Sequence, residues 1–314
     1  MIAMLCFFAG SVVSQSKDNT LHESEDDANK IATSSNYANY FSFHGADENS
    51  KVYFAIDNNR VKKKNAIKAN NFLYFNIDGT WIKLKGHTNF KSEETDIRKC
   101  SNSVDFKFEY KDENLISIES PTNDLRIIFN TPLKHIGAYG EDVVSFDMYA
   151  TNATLIYKGR EFQGNLISER FIDPEGLKSI SNITKVLFNG FKYDGYYLNV
   201  VGLGDLYVHL VSPEKSINIF TDNIYNLNSQ DGFKDFKLER ANYKVTKFKR
   251  VGFKKLPLEI EIDLGESKLT LRTSHFQKYR NLLFFAFGMG TVDGVLIHEG
   301  KEYEVYGLSE LFEF

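Results

Sequence analysis

The sequence predicts an all-β protein built from two tandem antiparallel units, barrels or sandwiches, joined by a short helical linker. The first observation behind this is an internal repeat. Residues 146–171 (FDMYATNATLIYKGREFQGNLISERF) align without a gap with residues 287–312 (FGMGTVDGVLIHEGKEYEVYGLSELF), 141 positions later. Matched pairs include Phe146 with Phe287, Leu155-Ile156 with Leu296-Ile297, Gly159 with Gly300, Ser168-Glu169 with Ser309-Glu310, and Phe171 with Phe312. A fixed-offset repeat in a chain of 314 residues points to a duplicated module, each copy large enough for its own core. The second observation is composition: 27 Phe and 17 Tyr against one Trp favour strands over helices, and only 5 Pro leave room for long strands. The third is a succession of short runs, many of them alternating, separated by turn residues.

In chain order, the opening MIAMLCFFAGSVVSQS is an apolar run too short to span a bilayer, followed by polar SKDNTLHESEDDANK. Residues 1–14 read as a signal peptide cleaved after Ser14, with Val12 at the −3 position, which predicts a secreted or periplasmic protein. Cys6 leaves with that segment. Cys100 then stands alone, so no intrachain disulfide is expected and packing must hold each core. Residues 15–35 are a polar leader with little to bury.

The first domain is expected over residues 36–172. Its strands are Lys51–Ile56, Phe72–Ile77, Thr80–Lys85, Phe106–Tyr110, Leu115–Glu119 and Leu125–Phe129, and the Asp78-Gly79 pair signals a type I′ hairpin. The repeated element is itself a hairpin, with Thr154–Tyr157 and Arg160–Gly164 flanking Lys158-Gly159. Residues 173–184 form the linker, where Asp173 suits a helix N-cap and Pro174 the first helical position. The second domain, 185–314, has strands Tyr196–Val201, Asp205–Val211, Ser216–Thr221, Tyr243–Arg250 and Leu282–Phe287. Its clearest strand is Leu258-Glu-Ile-Glu-Ile-Asp-Leu264, which alternates strictly and returns as Lys268-Leu-Thr-Leu-Arg272. The second repeat hairpin pairs Val295–His298 with Lys301–Tyr306 across Glu299-Gly300. Gly at the same turn position in both copies is what a positive φ demands.

Two tandem all-β units, each closing on a Gly-turn hairpin and a Ser-Glu-aromatic end, resemble the double-lipocalin superfamily. That group includes hydroxyneurosporene synthase and AttH-like proteins, with related domains in survival-factor-like proteins and fungal Diels–Alderases. The resemblance rests on Tyr40-Phe-Ser-Phe-His-Gly45 through Ile56-Asp-Asn-Asn-Arg60 and on Gly307-Leu-Ser-Glu310. It implies two calycin-like barrels and, as in several relatives, an apolar cavity for an isoprenoid or polyketide. It carries over no catalytic residue and fixes no activity.

Function classes narrow by exclusion. A net charge of −4 argues against nucleic acid as partner. The densest basic run, Arg60-Val-Lys-Lys-Lys64, reads as a solvated turn or a gatekept edge. No His-x-His, Cys-x-x-Cys, Gly-x-Ser-x-Gly or complete dinucleotide-binding glycine pattern occurs, so no metal or cofactor is expected.

Candidate residues are few. His44, near Asp57 and Arg60, could form a His-carboxylate pair for acid-base chemistry. His209 and Tyr207 share a strand face and could orient a ligand. Glu169 and Glu310 end the two repeats, and because both copies keep them a structural role is expected. Asn152-Ala-Thr154 and Asn182-Ile-Thr184 are glycosylation sequons. The leading expectation is a secreted protein that binds a small hydrophobic, isoprenoid- or lipid-like molecule. The rivals are a hydratase, isomerase or cyclase acting on an isoprenoid-like substrate, and an extracellular carbohydrate-binding or interaction protein presenting exposed aromatic rings. Oligomeric state is not encoded in these patterns.

Overall fold

A computed structural model describes residues 36–63, 66–84, 89–92, 97, 105–111, 114–141, 144–173, 192–212, 216–222, 233–238, 242–282 and 285–313. The expected signal peptide and polar leader, Cys100, Asn182 and the expected linker helix after Asp173 lie outside these residues. Among the described residues, twenty strands make two antiparallel sheets, and the one helical element is a 3-10 turn at Pro121–Asn123. No helix among the described residues is long and apolar enough to cross a membrane.

Unit 1 is built from β1 (Asn36–Ala46), β2 (Lys51–Lys63), β3 (Ala66–Ile77), β4 (Thr80–Trp81), β5 (Asn89–Ser92), β6 (Lys107–Lys111), β7 (Asn114–Ser120), β8 (Leu125–Phe129), β9 (Lys134–Glu141), β10 (Val144–Tyr157) and β11 (Arg160–Asp173). Unit 2 is built from β12 (Lys192–Val200), β13 (Gly204–Ser212), β14 (Ser216–Asp222), β15 (Phe233–Leu238), β16 (Asn242–Val251), β17 (Lys254–Asp263), β18 (Ser267–Leu282), β19 (Phe285–His298) and β20 (Lys301–Glu313). By compactness the hairpin tip Gly79–Trp81 groups with unit 2.

The two sheets share one topology. Unit 1 runs β4-β3-β2-β1-β11-β10-β8-β7-β6, with β5 on β3 and β9 on β10; unit 2 runs β15-β14-β13-β12-β20-β19-β18-β17-β16. In each, the first strand lies between the second and the last, so the chain's repeat is also a repeat of pairing. The registers agree too: Glu169 stands opposite Tyr40 and Met148, and Glu310 opposite Gly195 and Met289, with both Glu-Met pairs kept.

Each sheet curls around its own core. In unit 1, Phe41 of β1 meets Phe108 of β6 at 5.9 Å, and Phe75 of β3 meets Tyr157 of β10 at 4.6 Å. These strands are far apart in sheet order, so ring contacts between them require the sheet to wrap. The enclosed cluster includes Phe43, Phe54, Ile127, Leu155 and Phe162. Unit 2 encloses Leu198, Val208, Ile260, Leu271, Val292 and Leu311 in the same way.

The turns explain the repeated sequence. Lys158 and Gly159 have φ 51° and 77°, and Glu299 and Gly300 have φ 50° and 74°. Both positions are left-handed, as a two-residue hairpin matched to strand twist requires. Asp78 and Gly79 do the same at 49° and 79°, and the Asp78 carboxylate also accepts the Lys51 N–H at 2.9 Å. The strand expected over Thr80–Lys85 is shorter: it ends at Trp81, after which the Ile82 N–H still reaches the Phe75 carbonyl at 2.8 Å. Beside the turn of the first repeat hairpin, Arg160 clasps the Asp47 carboxylate at 2.6 Å and the Ser50 hydroxyl at 2.9 Å. That guanidinium, together with the Asn49 N–H, holds the Asp47 carboxyl below its usual value.

Candidate functional site: a polar row inside unit 1

Strand alternation assigns the inward face of unit 1. Phe41 and Phe43 of β1, Phe54 and Ile56 of β2, Leu73 and Phe75 of β3, Leu166 of β11 and Leu155 of β10 all belong to the core. Residues two apart from these share that face. Register then stacks the inward positions in rows across the sheet. One row reads Leu166, Phe43, Phe54, Phe75, and the next reads Tyr149, Ser168, Phe41, Ile56, Leu73.

The following row changes character. Arg170, Asn39, Asn58 and Asn71 stand side by side on β11, β1, β2 and β3, each in direct register with the next. Directly opposite residues bring their Cβ atoms to within about 5 Å, so this is one contiguous polar strip beside rows that are mostly apolar. Beyond it, Tyr37 pairs with Arg60 and Arg60 with Ala69.

Arg60 is 1% exposed, which overturns its reading as part of a solvated basic turn. Strand β2 runs on through Lys63 and carries Arg60 inward, while Lys62 stays exposed. Its Nη1 donates to the Ile97 carbonyl at 3.0 Å, its Nε to the Asn58 Oδ1 at 3.3 Å, and its guanidinium lies 4.8 Å from the centre of the Tyr37 ring. Arg170 donates to the Tyr149 hydroxyl at 2.7 Å and lies over the same ring. Both cations are thus anchored on aromatic faces.

The asparagines are not satisfied in the same way. Asn71 is fully buried, and among the described residues neither its Oδ1 nor its Nδ2 has a hydrogen-bond partner. Exchanging the amide O and N cannot help, since both atoms lack one. The Asn58 Nδ2 and the Asn39 Oδ1 are likewise buried without a partner. Each such group costs about 1–3 kcal/mol in an empty site. A row that presents donors and acceptors inward suits a molecule that can use both.

The equivalent row of unit 2 is different. Register carries Asn39, Arg170, Asn58 and Asn71 onto Asp194, Leu311, Leu210 and Ile217. Three of four polar positions are aliphatic there. Asp194 is buried close to Tyr196, whose hydroxyl is pushed well above its usual pKa, chiefly by burial and then by the Asp194 and Tyr243 charges.

The residues singled out in the sequence fall elsewhere. His44 and Asp57 are both buried on the outward face of their strands, but His44 pairs with Tyr53 and Asp57 with Tyr40. Four residues along a strand is about 13 Å, beyond a direct hydrogen bond, so the expected His-carboxylate pair does not form. Asp57 and Arg60 lie on opposite faces. Tyr207 is buried on the face opposite Leu206, Val208 and Leu210, which belong to the core of unit 2. Position 209 shares the strand face of Tyr207, in register with Gly195 and Asn218, so neither position belongs to the inward face. Glu169 and Glu310 are buried at equivalent outward positions. Asn152 is half-buried within β10, and the Thr154 hydroxyl of its sequon already lies within hydrogen-bond distance of Asn130 and Gln163, at 3.1 and 3.0 Å.

No family model matches the chain, and no curated protein matches it in sequence. Among solved structures, an AttH-like protein from Nitrosomonas europaea superposes with TM-score 0.57 at 12% identity, covering 96% of this chain and 98% of that one. Kievitone hydratase from Nectria haematococca aligns at TM-score 0.44 and 10% identity over 87% of this chain and 88% of its own. CghA, solved with Sch210972, aligns at 0.42 and 10%, over 89% of each chain. With its two curled sheets of common topology, the chain carries the tandem lipocalin-like fold of the AttH-like protein.

Proposed function

We propose that this protein binds a small, largely apolar molecule inside unit 1, with the molecule's polar end held by Asn39, Asn58 and Asn71. The observation that carries this is the asymmetry of the duplication. A row needed only for folding would persist in both copies, as Glu169 and Glu310 do, whereas the asparagine row exists in one copy and is largely aliphatic in the other. The unpartnered amides favour a neutral head that both gives and accepts hydrogen bonds, such as a hydroxyl or an amide. Phe41, Phe43 and Phe54 in the adjoining rows favour an isoprenoid- or lipid-like body.

Binding is favoured over acid-base turnover by the chemistry of the row. Asparagine does not titrate, and arginine keeps its proton throughout the physiological range. The apolar run at residues 1–14 supports action outside the cytoplasm. Solvent extraction of protein purified from its native host, followed by mass spectrometry, tests the reading. An apolar compound with one polar end, recovered at near-equal molar amount, is expected. Protein that yields no such compound under non-denaturing purification contradicts it.

A further inference from the structure

The tip of the β16–β17 hairpin differs from the rest of the described surface of unit 2. Residues 244–255 contain Lys244, Lys247, Lys249, Arg250, Lys254 and Lys255 and no Asp or Glu. Towards the base these charges are answered: Lys247 lies 3.3 Å from Glu259, and Lys244 stands in register with Glu261. Arg250 stands directly opposite Lys255 on the ladder, and like charges so placed oppose pairing. Lys249 leans over the Phe276 ring at 5.0 Å.

At the turn, Gly252 takes φ 64°, and the next residue, Phe253, is 81% exposed; Phe248 is 48% exposed. A bare aromatic ring inside a collar of cations is unfavourable to the folded chain in water on two counts, unburied apolar surface and self-repulsion. Both become favourable at one kind of surface. Aromatic side chains settle at the boundary between headgroups and acyl chains, while Lys and Arg are drawn to anionic headgroups.

We propose that the β16–β17 hairpin tip docks this protein onto anionic lipid surfaces, with Phe253 inserted and Arg250, Lys254 and Lys255 against the headgroups. The inference is independent of the ligand reading for unit 1. Co-sedimentation of the full chain with vesicles tests it, comparing phosphatidylcholine alone with phosphatidylcholine containing a third of phosphatidylglycerol. The expected result is binding to the anionic vesicles only, weakened by salt, reduced about fivefold by each of Arg250→Ser and Lys255→Ser and about tenfold or more by Phe253→Ser. Because these side chains sit at an exposed tip, circular dichroism of the variants should match that of the unaltered protein. Equal binding to both vesicle types, or no binding to either, overturns the proposal. So does tight binding to heparin or duplex DNA that Phe253→Ser leaves unchanged, which would assign the hairpin to a soluble polyanion.

Discussion

Replacing Asn71 by Leu should make the ligand-free protein more stable while removing its ligand. Leu has the same γ-branched shape, and among the described residues no hydrogen bond is lost, because neither amide atom of Asn71 has a partner. The substitution removes a desolvation cost of about 1–3 kcal/mol. It adds apolar contacts beside Leu73 and Ala69, on the same face of β3, less about 1 kcal/mol for fitting two methyl groups into a packed wall. The duplication has already made this exchange, for Ile217 occupies the equivalent position in unit 2. A net gain of about 1 kcal/mol follows, or roughly 3 °C in Tm for a unit of this size. Asn58→Leu is the internal control. Its Oδ1 accepts from Arg60, so that variant strips a buried guanidinium of an acceptor and should lose about 1–3 kcal/mol. Urea denaturation of stripped protein measures both. A loss of stability in Asn71→Leu with unchanged ligand content would mean that the amide serves the fold, through bound water, and would refute the reasoning.

Other expectations concern the scaffold. Gly159→Ala and Gly300→Ala place a side chain in open space but at φ 77° and 74°, so each should cost about 1–2 kcal/mol by conformation alone; equal stability to the glycine protein in denaturant melts would contradict the turn assignment. At Gly164 a Cβ would lie 2.2 Å from the His44 carbonyl oxygen, so Gly164→Ala should cost about 1–3 kcal/mol through backbone displacement, read in the same melts. Tyr196 keeps its proton in the folded state above the usual tyrosine value of about 10, while the unfolded chain releases it. The folded state then binds more protons, so stability falls as pH rises above about 10, by at most about 1.4 kcal/mol per pH unit. Tyr196→Phe should flatten that alkaline slope in unfolding midpoints measured against pH; an unchanged slope would assign it to other groups.

Much of the fold was legible because its signals are local. The two Gly-turn hairpins, the Asp78-Gly79 turn and the alternating Leu258–Leu264 strand each occupy a few consecutive residues, and β8 matches its expected span of Leu125–Phe129. Strand β1 carries only a short alternation, Phe41-Ser42-Phe43-His44; just before it the pattern reverses, with Asn39 on the face of the phenylalanines and Tyr40 on the other, so the run is too short to signal a strand. Strands β5, β9 and β15 also gave no usable period. The polar row was invisible for a different reason. Asn39, Asn58 and Asn71 are far apart in sequence and become neighbours only through pairing of β1, β2 and β3. Arg60 was hidden by its company, since a basic run reads as solvated while the strand turns one member inward. The cations of β16 and β17 escaped notice because apolar residues and a turn interrupt them.

Native mass spectrometry of the unaltered protein beside Asn71→Leu and Tyr196→Phe tests the central claim most directly. A bound small molecule is predicted on the unaltered protein and on the unit 2 variant Tyr196→Phe, and should be absent or strongly depleted on Asn71→Leu. The same bound mass at the same occupancy on all three would contradict a ligand site at the asparagine row.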